Sequence, residues 1–288
     1  MLKRTAFFAT VLICFIYFPA SAQSRASDFP EYTLPGSQLH DVHSNIVNQN
    51  YQLMVSLPAG YMPGANKKYP VIYVLDGQWD FALVSSIYGK LHYDNDLPDA
   101  IVVGITWGGE NPDVGKLRAR DFVPQADNTA GAKLFLEALE KELLPYIDAQ
   151  FNTNTRRVLM GASYGGLFTS YAMLENLILF DSYIALAASY HAFPKMLMQQ
   201  QLANLSAQEV NKELWLYLGC GSKDECRSSS AEFSNTLTSM QLTNLHIKFK
   251  MEEGIGHAGI TPVAAPFALQ FVFERSLLSK VKSFFSAD

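Results

Sequence analysis

The amino-acid sequence predicts an α/β fold, a single domain on a mostly parallel, doubly wound sheet with helices on both faces. Three observations carry this. The chain has 288 residues, 49% of them apolar and 17% charged, which suits one large packed domain. Continuous apolar runs of strand length alternate with stretches of helical spacing, the pattern of strands covered on both sides. No linker-like break or internal repeat interrupts that alternation.

The elements follow in order. Lys3 and Arg4 precede Ala6–Phe18, a thirteen-residue and almost wholly apolar run, and Ala20-Ser21-Ala22 places small residues after it. This is the pattern of a signal peptide over residues 1–22, cleaved near Ala22, with a periplasmic or secreted domain over 23–288. The run is shorter than the ~20 residues that span a bilayer, and no other run is longer, so no membrane span is expected in the mature chain. Residues 24–35 read as an extended lead-in. Tyr51–Leu57 alternates as a strand, and a Pro/Gly loop ends it. Val71–Leu75 and Ala100–Ile105 are buried strands. The spacing over Ala132–Ala149 predicts a helix. Arg157–Met160 predicts a strand with a helix over Gly165–Asn176 behind it. Tyr183–Ala188, Leu214–Leu218 and Leu245–Met251 are further strands, and a helical pattern runs from Pro266 to about Phe285.

Charge and cysteine usage exclude several functions. With 22 basic against 27 acidic residues and no Lys/Arg stripe, the chain lacks the electrostatic footprint of a nucleic-acid binder. Removing Cys14 with the leader leaves Cys220 and Cys226, an even pair that in an oxidising compartment predicts one disulfide. No HExxH or CxxC pattern accompanies His40 and His43, which read as ordinary strand or loop residues, so no metal and no cofactor are expected.

The chemistry centres on Gly161-Ala-Ser163-Tyr-Gly165. The motif is short, and its context gives it weight: a strand immediately before, a helix immediately after. A serine on that turn has an exposed hydroxyl above a helix N-terminus. It needs a base, and the base needs an orienting acid, in the order Ser, acid, His. His257 lies in a Gly-rich loop beyond the Leu245–Met251 strand, whereas His246 sits inside that strand as a surface residue. The Leu214–Leu218 strand runs into a turn carrying Asp224 and Glu225, either of which could be the acid. Two backbone amides are expected for the oxyanion: Tyr164, after the nucleophile, and Gln78, where Gly77 lets the chain turn its next N–H inward. Trp79, Trp107, Arg118, Arg120 and His191 are candidates for the substrate cleft, with pairing of the arginines to Asp113 or Asp121 as the structural alternative.

Together these pieces resemble the putative-esterase family of α/β-hydrolases, the enterochelin-esterase-like, feruloyl-esterase-like and esterase-D-like enzymes. The resemblance runs from about Tyr51 to Phe273. It includes Val55-Ser-Leu-Pro-Ala-Gly-Tyr61, Tyr73-Val-Leu-Asp-Gly77, Arg118-Ala-Arg-Asp-Phe-Val-Pro124 and the serine turn. It implies an α/β-hydrolase fold, a small-molecule ester substrate and an acyl-enzyme. The family's G-x-x-D/E turn matches Gly221-Ser-Lys-Asp224 and favours Asp224. The chain departs from the pattern at Ala162, where relatives often carry His, and at Ala188–Phe193, where a Ser-Pro-Ser-aromatic stretch is common. The alternatives are a carbohydrate-side-chain esterase removing feruloyl or acetyl groups, and a catalytically silent hydrolase fold used for binding. Oligomeric state is left open.

Overall fold

The computed structural model describes residues 33–207 and 210–285. The chain divides at Thr33/Leu34, and the unit from Leu34 onward carries the elements described below. The proposed leader and Cys14 lie outside the described residues. The strands are β1 (Ser37–Ser44), β2 (Gln49–Ser56), β3 (Tyr69–Val74), β4 (Ile101–Trp107), β5 (Thr153–Ala162), β6 (Ser182–Leu186), β7 (Leu214–Gly221) and β8 (Leu245–Glu252). The helices are α1 (Gly77–Tyr93), α2 (Val114–Phe122), α3 (Ala132–Ala138), α4 (Leu144–Gln150), α5 (Tyr164–Glu175), α6 (Lys195–Ser206), α7 (Arg227–Ser239) and α8 (Ile260–Phe285).

The strands form one sheet in the order β1-β2-β4-β3-β5-β6-β7-β8. β1 and β2 are antiparallel to their neighbours, and the run from β4 to β8 is parallel. Residue alternation divides the core in two. Val71, Tyr73, Ile101, Val103 and Ile105 face one layer with α3 and α5. Ile72, Val74 and Val102 face the other, where α1 and α8 supply Phe81, Val84, Ala264, Ala268 and Val272. Strands sandwiched this way must be apolar on both faces, which is why they read as continuous apolar runs.

The helix expected over Ala132–Ala149 exists, but as α3 and α4 joined by a π-helical turn at Leu139–Leu143. Helix α8 begins at Ile260, earlier than expected, with Pro266 inside it. No helix among the described residues is long and apolar enough to cross a membrane.

Candidate active site

Six parallel strands point their carboxyl ends to one side of the sheet, where open α/β sheets build their sites. Three of the turns there concern the site. At the end of β5, Ser163 takes φ 59°, ψ −120°, a backbone conformation that costs any residue with a Cβ. The bend brings its two flanks together: a Cβ on Gly161 would lie 2.4 Å from the Gly165 carbonyl carbon. Only glycine fits there. Ser163 then caps α5, and Tyr164 is its first residue.

The turn after β3 works differently from the sequence reading. The left-handed residue is Asp76 (φ 55°), not Gly77. Gly77 is needed because a Cβ there would meet the backbone of Gly104 and Ile105 at 2.9 Å. Gln78 follows in the first turn of α1, where amides have no intrahelical acceptor. No protein acceptor among the described residues takes the N–H of Gln78 or of Tyr164. The Gln78 side chain is occupied elsewhere, its Oε1 accepting from Thr106 Oγ1 at 2.6 Å.

Arg118 holds these two turns together. Its Nε donates to Asp76 Oδ1 (2.8 Å) and its Nη2 to the Ala162 carbonyl (3.2 Å), and its guanidinium lies over the Trp79 and Tyr164 rings. Burial pushes the Asp76 carboxyl up from its usual range against the opposing pull of Arg118. Asp80, one helical turn on, is pushed up to about 6, first by burial and then by the Asp76 carboxylate.

The third turn carries the acid. Asp224 is 6% exposed, whereas Glu225 is exposed. Asp224 Oδ2 lies 2.7 Å from His257 Nδ1, and its Oδ1 accepts the Cys226 N–H at 3.1 Å. Backbone bonds from Ser222 N to Glu252 O and Lys223 N to Ile255 O tie this turn to the histidine loop. The Cys220 and Cys226 sulfurs, flanking the acid, are 2.10 Å apart, at disulfide distance. With Nδ1 engaged by a carboxylate, His257 is left with Nε2 as its basic nitrogen.

A cleft of about 280 Å³ opens here, with Ser189, His191, Lys223, Glu225 and His257 among its walls. Ser163 Oγ makes no hydrogen bond to His257; it lies 3.4 Å from Ser189 Oγ, and so adjoins a wall of that cleft. Ser189 escaped the sequence reading. The signal was its place in the stretch after β6 where relatives carry Ser-Pro-Ser.

The cleft candidates divide. His191 is exposed in the cleft wall, and Trp79 is 61% exposed beside the Asp76 turn. Trp107 is a correction: it is 3% exposed, and its Nε1 donates to Asp121 Oδ2 at 2.7 Å. Arg120 also turns to Asp121, with Nε at 2.6 Å from Oδ1 and Nη2 at 3.0 Å from Oδ2, and Tyr51 Oη completes the set at 2.7 Å. A fully buried carboxylate needs such donors, so these residues satisfy Asp121 rather than lining the cleft. Arg118 pairs with Asp76, a partner the sequence reading did not consider. His246 bonds Glu213 and stacks on Trp215, away from the cleft. His40 and His43 do not meet: they bond Tyr146 and Asn50 respectively.

Comparison with known proteins places the chain among esterases. Residues 44–260 match the family described as "Putative esterase". The chain is similar to the ferri-bacillibactin esterase BesA of Bacillus subtilis (strain 168), with 26% identity over 264 residues, covering 83% of this chain and 90% of that protein. Its fold is similar to the crystal structure of the BES protein from Bacillus cereus, with a TM-score of 0.74 and 25% identity, covering 85% of this chain and 99% of that one. It is also similar to an IroE-like serine hydrolase from Shewanella oneidensis, with a TM-score of 0.71 and 24% identity, covering 83% and 80% of the two chains.

Proposed function

The chain belongs to the putative esterase family of α/β-hydrolases, and from that premise we propose that it is an exported serine esterase acting on catechol-acyl ester siderophores. It is a carboxylic-ester hydrolase of the enterochelin-esterase-like kind; the triad, the acyl-enzyme, the compartment and the substrate are our reading. The observation that carries it is the 2.7 Å contact between His257 Nδ1 and the buried Asp224 carboxylate, on turns at the same end of the sheet as the strained Ser163.

Ser163 Oγ attacks the ester carbonyl carbon while His257 Nε2 takes its proton. The Gln78 and Tyr164 amides donate to the oxyanion. Collapse breaks the ester C–O bond, and His257 returns the proton to the departing alcohol. A water then gives a proton to His257 and its oxygen to the acyl carbon, and Ser163 leaves reprotonated. Asp224 holds the ring tautomer throughout. Trp79 offers an exposed ring for a catechol to stack on. Export rests on the apolar run of residues 6–18 and its small-residue site, and an oxidising compartment suits a Cys220–Cys226 disulfide.

The test is hydrolysis by the chain without residues 1–22 of catechol-acyl lactones, feruloyl sugars, acetylated sugars and aryl esters. The lactones are expected to have the highest kcat/KM, with no turnover by Ser163→Ala. Preference for the sugar esters would move the assignment to a carbohydrate-side-chain esterase. No turnover of any ester would leave a binding protein.

A further inference from the structure

We propose that the Ser189 hydroxyl is a second working group of the reaction: it donates to Ser163 Oγ and steadies the negative charge that develops on the nucleophile. This rests on the reading of Ser163 as nucleophile and goes beyond the triad. Three observations place Ser189 against that atom. Ser163 N–H donates to the Leu186 carbonyl (2.9 Å) and Ser189 N–H donates back to the Ser163 carbonyl (3.2 Å), so the chain after β6 clasps the bend from both sides. The clasp needs a sharp reversal, and Ala187 supplies it at φ 43°, a left-handed conformation unfavourable for alanine. Its N–H is held by the Gly219 carbonyl at 2.7 Å. Strain is therefore stored at two residues that face each other, Ser163 and Ala187, and its effect is to bring the two hydroxyls together.

The direction of donation follows from the inventory of partners. Ser189 is 5% exposed, and its Oγ has no hydrogen-bond partner among the described residues other than Ser163 Oγ. Ser163 must give its own proton to His257, so its lone pairs accept the Ser189 proton. At 3.4 Å the resting contact is longer than the ~2.7–2.8 Å usual between hydroxyls. It shortens as the acceptor gains charge, because O–H···O⁻ bonds are shorter and stronger than neutral ones. An interaction weak at rest and strong in the transition state is one that raises kcat. It acts twice: when Ser163 Oγ bonds to the acyl carbon, and when the same oxygen leaves it on deacylation.

The test is the second-order rate at which a fluorophosphonate labels Ser163, measured with kcat and KM for an aryl ester in wild type, Ser189→Ala and Ser189→Thr. In labelling, the serine oxygen bonds to phosphorus, fluoride leaves and His257 takes the proton, so the rate reports on the nucleophile without a substrate pocket. Ser189→Ala is expected to label the same residue about 10- to 100-fold more slowly, the loss of one bond to a developing charge, with kcat reduced in parallel and KM within about twofold. Ser189→Thr, which keeps the hydroxyl, is expected to recover most of the rate. A structural role alone would lower the melting temperature and leave labelling of the folded fraction unchanged. Wild-type labelling rates in a folded Ser189→Ala protein would overturn the proposal. Wild type that takes no label at Ser163 would instead overturn the nucleophile assignment beneath it.

Discussion

Replacing Ser163 with glycine should make the protein more stable while abolishing its activity. The backbone at 163 sits at φ 59°, ψ −120°, where a Cβ is opposed by its own main chain and glycine is not. Such a conformation costs on the order of 1–3 kcal/mol. Against this, glycine has greater freedom in the unfolded chain, which offsets about 0.4–1 kcal/mol of the gain. The side chain itself is half-buried and its only hydrogen bond among the described residues is the 3.4 Å contact to Ser189, so little packing is lost. The difference between Ser163→Gly and Ser163→Ala isolates the strain, since both lack the hydroxyl and only alanine keeps the Cβ. The glycine variant is expected to be more stable by about 1 kcal/mol, roughly 2–4 °C in Tm for a domain of this size. Calorimetry and urea unfolding of the two inactive variants read this directly. A glycine variant equal to or less stable than the alanine variant would refute the claim that the bend stores strain.

Other expectations follow from the same geometry. Asp224→Asn should lower kcat by up to ~10⁴-fold with the fold retained, while Glu225→Gln, an exposed neighbour, should be mild in the same ester assay; the reverse ranking would move the acid to Glu225. Asp80, with its pKa raised to about 6 from 3.8, binds its proton more tightly folded than unfolded, so ionising it costs stability. Its contribution should therefore fall as pH rises from about 4 to 6, by at most about 3 kcal/mol; Asp80→Asn should flatten urea midpoints across that window, and an unchanged pH profile would sink the assignment. In thiol-blocked protein purified without reductant, tryptic peptides ending at Lys223 and Arg227 should stay joined through Cys220 and Cys226, the ring being worth about 2 kcal/mol of unfolded-chain entropy. Peptides already separate before reduction would exclude the bridge.

Legibility in the sequence tracked burial. β3, β4, β6 and β7 were readable because two covered faces demand unbroken apolar runs. β1 is an edge strand with a largely polar sequence, SQLHDVHS, and escaped notice. Helix α7, RSSSAEFSNTLTS, turns only Ser230, Phe233, Ser234 and Leu237 inward, too thin a stripe to show as periodicity. At the site, Ser163 was visible because its bend requires glycines at fixed offsets. Ser189 was not, because what brings it to Ser163 is a left-handed Ala187 that no residue type announces. Trp107 was misjudged for a related reason. An aromatic near a strand's carboxyl end suits a cleft equally well, and only the buried Asp121 carboxylate shows where its indole N–H goes. Gly77 was noticed, but for freedom of its backbone, when what it supplies is room beside β4.

The central claim is that Ser163, activated by His257, forms a covalent intermediate. Its most direct test is to treat the chain with a fluorophosphonate, digest it with trypsin and sequence the labelled peptide by mass spectrometry. One adduct per chain is expected, on Ser163 within residues 158–195, and abolished or slowed by orders of magnitude in His257→Ala. An adduct on another serine of that peptide, or unchanged labelling without His257, would contradict the account.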